Sequence, residues 1–345
     1  MGPFVVSSVR STQTLMYDVA EYIFESPPRT PPETSPVAKP AAVNRVLEWL
    51  EPSEDEQEKI LRPFEYLNRN PGKRIRATII HAFNYWLKVP EHHLQTICKV
   101  VDMLHNSSLL IDDIEDGSDT RRGKPAAHCV YGVAQTLNSA NYVYFQVLSH
   151  LRLLGLHQTA SVFCEEMLHL HGGQGMELYW RDNMECPSEA DYLKMAANKT
   201  GGLIRLAVRL MMALSPYKHI DCLDIATLLG IHFQIRDDYK NLTSIEYENA
   251  KCFCEDIEEG KFSFPIIHCL ENSSWPQVLL AILRQRTKCR HLKQHALDMI
   301  TRSGSLVYTR NVLNSYQQEI TKRVARLGGN ALMEKLIEQL AIDAA

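Results

Sequence analysis

Two short aspartate runs in this 345-residue chain have the spacing of metal-binding helices. The first is Leu109-Leu110-Ile111-Asp112-Asp113-Ile114-Glu115-Asp116. Asp112 and Asp116 stand at i and i+4, so on a helix their carboxylates share a face about 6 Å apart. Asp113 lies roughly 100° around the same helix. Like charges at this spacing destabilise a bare helix, so a cation should offset them. Oxygen ligands alone suit Mg²⁺, which keeps several waters and takes one or two carboxylates plus substrate phosphate oxygens. A solvated acidic helix end is the bland alternative, and the four apolar residues at 109–111 and 114 argue against it. The second run, Phe233-Gln234-Ile235-Arg236-Asp237-Asp238-Tyr239-Lys240-Asn241, repeats the aspartate pair. Asn241 stands where a third acid could. Two such helices face to face would cage several Mg²⁺ ions around one diphosphate, and such metals neutralise a leaving group.

Basic residues complete the pattern. Arg121-Arg122 follow the first run, and an arginine fork suits phosphate oxygens. Lys73 and Arg76, in Pro71-Gly72-Lys73-Arg74-Ile75-Arg76, share one face of a starting helix, whose N-terminus also attracts anions. Lys199-Thr200-Gly201-Gly202 sets a lysine and a hydroxyl beside two glycines inside a helical stretch. Mid-helix glycine costs about 1 kcal/mol, so a kink or close approach is expected there. Lys251 and Lys261 follow the second run. His105 lies seven residues, about two turns, before Asp112. Each basic residue alone reads as surface solvation; together with two acidic pairs they describe a site for two diphosphates.

Helices must position these groups. Residues 91–111 carry apolar side chains at Leu94, Ile97, Val101, Leu104 and Leu110, a helix face. Residues 137–156, 188–214, 221–243, 290–300 and 305–327 read the same way. No strong hairpin signal or turn-bounded strand run is found. Eleven of the sixteen prolines lie in the first 90 residues, which leaves a body suited to long helices. Residues 26–40 hold six of them and read as a linker. The organisation expected is a proline-rich extension over 1–41 and one all-α domain over 42–345. A net charge of -4 argues against nucleic acid as partner. Nine scattered cysteines without a C-x-x-C pair fit a reducing interior, the cytoplasm. The acid-poor N-terminus leaves an organelle-targeting reading beside it. No run has the length of a membrane span.

At this point the residues carry a resemblance. The stretches PGKRIR, MLHNSSLLIDDIEDGSDTRRGKPAAH, VYGVAQTLNSANYVYF, GQGMELYWRD, KTGGLIRL, FQIRDDYKNL and KCFCEDIEEGKFSFPIIH resemble trans-prenyltransferases, specifically geranylgeranyl diphosphate synthases of the animal and fungal type. Seven blocks agree in order and spacing over residues 71–268. The resemblance implies a single large helical bundle of the isoprenoid synthase type around a central active-site cavity. It implies Mg²⁺, three ions per site, on Asp112, Asp116 and Asp237, with Asp238 in support. Arg121 resembles the arginine on the allylic diphosphate. Lys73, Arg76, His105 and Arg122 resemble the pocket for isopentenyl diphosphate. Lys199, Thr200, Gln234, Lys251 and Lys261 resemble the remaining allylic contacts. Asn241, in place of aspartate, is in doubt as a ligand. Ser107 and Ser108, five and four residues before Asp112, are small, so no aromatic closes a growing chain there and a C15 stop is not expected.

The implied reaction is head-to-tail condensation of isopentenyl diphosphate with allylic diphosphates to geranylgeranyl diphosphate, C20. A C25 product stays open. So does a prenyltransferase domain cut from a fusion with a terpene cyclase. A free-standing class I cyclase would need an N-D-x-x-S-x-x-x-E motif, which RDDYKN is not. A catalytically silent regulatory partner is disfavoured by two intact acidic motifs. The family also implies a homodimer or larger homo-oligomer, for which the apolar surface of Val130–Phe145 is a candidate.

Overall fold

A computed structural model describes residues 52–69, 75–155, 157–244 and 253–342. The expected 1–41 extension, the helical reading of 42–51, and the candidate site residues Lys73 and Lys251 lie outside these. The described residues form fifteen helices and one short hairpin. In chain order these begin with α1 (Glu54–Asn68), α2 (Ile75–Leu87) and α3 (Glu91–Asp116). The hairpin β1 (Thr120–Arg121) and β2 (Lys124–Pro125) follows. Then come α4 (Ala127–Tyr131), α5 (Val133–Arg152), α6 (Thr159–Asn183), α7 (Glu189–Lys199), α8 (Gly201–Leu214) and α9 (Leu223–Thr243). The last are α10 (Glu255–Glu259), α11 (Phe264–Asn272), α12 (Pro276–Arg284), α13 (Arg290–Arg302), α14 (Ser305–Arg326) and α15 (Ala331–Leu340).

The all-α reading holds. The β1–β2 hairpin is the exception that periodicity does not reveal. Thr120 pairs with Pro125 and Arg121 with Lys124, so only Arg122 and Gly123 turn the chain. Both have positive φ, 53° and 74°, as a two-residue turn between strands requires. Gly123 is the expected residue there; Arg122 is not, which hid the turn.

α3 is the axial element. Its apolar spacing buries Leu94, Ile97, Val101, Leu104 and Leu110. Gly117, at φ 64°, ends it in the left-handed conformation, and its N–H reaches the carbonyls of Asp113 and Ile114. One apolar core joins α2, α3, α8, α9 and α15, through Phe83, Leu104, Leu206 and Leu229. A second joins α7, α9, α11, α12 and α13, through Tyr192, Ile235, Phe264 and Ile300. α9 belongs to both, so its side chains are fixed from two directions. Each fully buried leucine or phenylalanine contributes about 1.5–3 kcal/mol.

Residues 188–214 are not one helix. The chain breaks at Thr200 into α7 and α8. Glycines let three backbones meet at this break. A Cβ on Gly230 of α9 would lie 2.3 Å from Gly201 Cα, and one on Gly173 of α6 would lie 2.6 Å from Lys199 N. Neither neighbour is a flexible side chain that could move aside. Gly230→Ala should therefore destabilise the fold by about 1–3 kcal/mol, the usual cost of overpacking. Thermal unfolding of the variant checks this; an unchanged midpoint would contradict the close approach.

Candidate active site

The C-terminal turn of α3 carries Asp112 and Asp116 into a cavity of about 400 Å³. Acidic groups at this end of a helix oppose its dipole as well as each other. Burial, then Asp112, pushes the Asp116 carboxyl up to about 7. Arg181 of α6 tethers Asp116 through Nη1 to Oδ1 at 2.6 Å, and its Nη2 donates to the Glu115 carbonyl at 3.0 Å. Gln174 of the same helix donates to Glu115 Oε2 at 2.7 Å and to Asp112 Oδ1 at 3.4 Å.

Asp113 points the other way and is 1% exposed. The hairpin returns Arg121 to it: Nε donates to Asp113 Oδ1 at 2.6 Å, while Nη2 lies 3.4 Å from Asp112 Oδ2. Burial would lower the guanidinium pKa, but Asp113 and Asp112 raise it, so Arg121 stays charged in the cavity wall. Arg122 lies outside that wall, with Nη2 3.5 Å from Asn106 Oδ1. On α2 and α3, Arg76 and His105 line the cavity. Burial pushes Arg76 down to about 10. Burial, then Arg76 and Arg122, hold His105 well below its ordinary value, so its imidazole is neutral at pH 7.

Across the cavity, Lys199 pairs with Glu177 Oε2 and lies 3.6 Å from Asp112 Oδ1. Lys261 lies 3.5 Å from Glu177 Oε1 and 3.2 Å from Asp238 Oδ1. Burial alone would raise the Glu177 carboxyl, but the two lysines hold it below its ordinary value. Thr200, Gln234 and Asp237 complete this side.

The second aspartate run divides its labour. Asp237 is exposed and lines the cavity; Asp238 is 1% exposed and does not. Asn241 accepts the backbone N–H of Asp256 at 3.1 Å and helps hold α10. Asn241 does not line the cavity. Of the two serines, only Ser108 lines the cavity. Ser107, expected there too, is one residue or about 100° around α3 and fully buried.

Several site residues escaped the sequence reading. Gln174, Glu177 and Arg181 form an i, i+3, i+7 polar stripe on α6, a signal that was present. Asp256 and Glu259 of α10 also line the cavity, from a segment with four acids in five residues. Tyr144 and His171 line it too, edge to face with centroids 5.7 Å apart.

The wall changes character along its length. From the carboxylates it continues as Leu109, Leu203, Ile204, Ala207, Phe83 and Val101. Val101 precedes Asp112 by eleven residues, ~16 Å along α3. The donor set fits Mg²⁺: its oxygens are hard ligands, and Asp116 is crowded enough to lose its charge near neutrality without a cation. Among the described residues no three His, Cys, Asp or Glu side chains close around one point. Mg²⁺ commonly takes one or two carboxylates and completes its shell with phosphate oxygens and water.

A family model described as Polyprenyl synthetase matches residues 57–300. The chain belongs to this family of prenyl-transferring enzymes. A geranylgeranyl pyrophosphate synthase of Mucor circinelloides f. lusitanicus is 50% identical over 285 residues, covering 83% of this chain and 94% of the relative. Another from Dictyostelium discoideum is 48% identical over 282 residues, 82% of this chain and 93% of the relative. A protein of Matsumurasca onukii named terpene synthase is 48% identical over 286 residues, 83% and 94% of the two chains.

The crowding of Asp116 has a pH signature. Its folded pKa of about 7 lies above the ordinary 3.8, so between these values the folded protein holds a proton that the unfolded chain has released. That stabilisation is complete below the lower value and is lost as pH rises through the upper one. The metal-free protein should therefore lose thermal stability from about pH 4 to 7, and Asp116→Asn should lose less. Equal losses in the two proteins would contradict this assignment.

Proposed function

We propose that this protein condenses isopentenyl diphosphate head to tail with allylic diphosphates, in a Mg²⁺-dependent reaction, to give geranylgeranyl diphosphate. One observation carries this reading: a single cavity joins a carboxylate-and-cation end to an apolar wall of ~16 Å. That shape suits a substrate with a diphosphate head and a hydrocarbon tail. The names of the Mucor and Dictyostelium relatives support C20 as the product.

Asp112, Asp116 and Asp237 would hold the Mg²⁺, three ions in all, which would supply neutralisation of charge on the leaving diphosphate. Arg121, Lys199 and Lys261 bring positive donors to the same group, and such preorganised charge is usually the largest catalytic contribution. Thr200 and Gln234 face the allylic carbon as its bond to oxygen breaks. Arg76 and His105 hold the isopentenyl diphosphate, whose double bond attacks that carbon. The double bond is itself the nucleophile, and the released diphosphate accepts the proton that the condensed cation loses, so no side chain need act as nucleophile or base. The growing tail runs along α3 past Ser108 towards Val101.

Residues 42–345 form the catalytic domain in this reading, with 1–41 an extension; the family match at 57–300 lies inside it. The protein works as a homodimer. Val130, Val133, Leu137 and Phe145 leave an apolar stripe on α4 and α5, with Phe145 71% exposed. A cytoplasmic location is consistent with free thiols at all eight described cysteines. No helix among the described residues is long and apolar enough to cross a membrane.

Purified protein, supplied with isopentenyl and allylic diphosphates and Mg²⁺, should give C20 by product chromatography. Asp112→Ala combined with Asp116→Ala should lower turnover by about a thousandfold or more, the scale on which preorganised charge acts. Near-normal turnover would remove the metal assignment. A C25 product would overturn the chain-length reading alone.

A further inference from the structure

We infer that Tyr192 and Asp238 are positioning residues that fix the Gln234 amide, so that Thr200 offers the cavity only the lone pairs of its hydroxyl. The inference rests on the proposed reaction, in which positive charge develops on the allylic carbon. Thr200 and Gln234 line the cavity; Tyr192 and Asp238 do not.

Asp238 sits where α7, α9 and α11 meet and accepts four hydrogen bonds. Its Oδ2 accepts the Tyr192 hydroxyl of α7 at 2.5 Å and the Phe264 N–H opening α11 at 2.9 Å. Its Oδ1 accepts Gln234 Nε2 at 3.0 Å and Lys261 Nζ at 3.2 Å. The Phe264 N–H and the Lys261 ammonium are donors only, one on each oxygen. Both carboxylate oxygens are thereby committed as acceptors. Tyr192 is fully buried, and burial next to Asp238 keeps its phenol protonated, hence a donor.

This settles the direction of the next bond. An amide facing a committed acceptor must present its NH₂, because its oxygen there would set acceptor against acceptor. The Gln234 carbonyl oxygen is then turned towards Thr200, whose hydroxyl donates to it. A threonine hydroxyl has one proton and two lone pairs. With the proton committed to Gln234, the side of Oγ1 that faces the cavity is electron-rich. Such an oxygen stabilises a developing cation. A reversed amide would turn the threonine proton outwards and repel it. The helix break at Thr200 matters for the same reason, because it brings this hydroxyl to the cavity one residue beyond Lys199.

Asp238→Asn keeps the shape but makes the two donors on one side of the group face an NH₂, so the polarity is no longer enforced. The test is a double-mutant cycle with Thr200→Val, with folding checked by thermal unfolding. Asp238→Asn should lower kcat about tenfold while KM for both substrates stays within about threefold, as for an interaction made chiefly in the transition state. Placed on Thr200→Val, it should cost no more than about a further threefold, because it acts through a hydroxyl already removed. Should Asp238→Asn fail to fold, Tyr192→Phe replaces it: about a threefold loss of kcat that disappears in the Thr200→Val background. Losses that multiply, or a loss seated in the KM of the allylic substrate, would overturn the positioning role while leaving the reaction standing. No turnover by the unmodified chain would overturn both.

Discussion

Negative charge gathered at the C-terminal ends of two helices is the constraint on which this structure depends. Asp116 is the last residue of α3, and Asp237 lies within two turns of the end of α9. Both the helix dipoles and mutual repulsion disfavour carboxylates there. The surroundings answer with cations that are themselves tied down. Arg181 holds Asp116, Arg121 spans Asp113 and Asp112, and Lys199 and Lys261 share Glu177. The balance is incomplete, as the raised Asp116 carboxyl records. In the proposed reading, a divalent cation accompanied by a diphosphate would supply what is missing without adding bulk to the protein.

Around that core the chain keeps two kinds of precision. Glycines bring α6, α9 and the α7–α8 break into backbone contact, which places Lys199 and Thr200 to within the width of a methyl group. Asp238 then connects α7, α9, α11 and Lys261 through four hydrogen bonds. One aspartate of the second pair thus serves geometry and its neighbour faces the cavity. In the first pair, Asp112 and Asp113 are divided in the same way, with Arg121 joining the buried member to the one that lines the cavity.

Much of this was legible in the residues. Apolar periodicity disclosed the long helices, and i, i+4 spacing disclosed which carboxylates share a face. The Lys-Thr-Gly-Gly sequence disclosed the break at Thr200. What periodicity could not report were contacts made across the chain. Nothing local says that Ser107 turns from the cavity while Ser108 enters it; the phase of α3 against its neighbours decides. The hairpin was missed because Arg122 occupies a position that usually takes glycine or asparagine. Glu177 and Arg181 were missed because their partners, Lys199 and Asp116, are distant in sequence. Asp238 was expected only in support of Asp237; its four bonds were not legible because Tyr192, Lys261 and Phe264 are distant from it in sequence.

In the proposed reading, the carboxylates of α3 and α9 are crowded so that Mg²⁺ and a diphosphate enter together. The most direct measurement is thermal unfolding of the metal-free protein with Mg²⁺ alone, inorganic diphosphate alone, and both. Stabilisation by both should exceed the sum of the separate effects, because each ligand completes the binding site of the other. Stabilisation no greater than that sum would contradict the account.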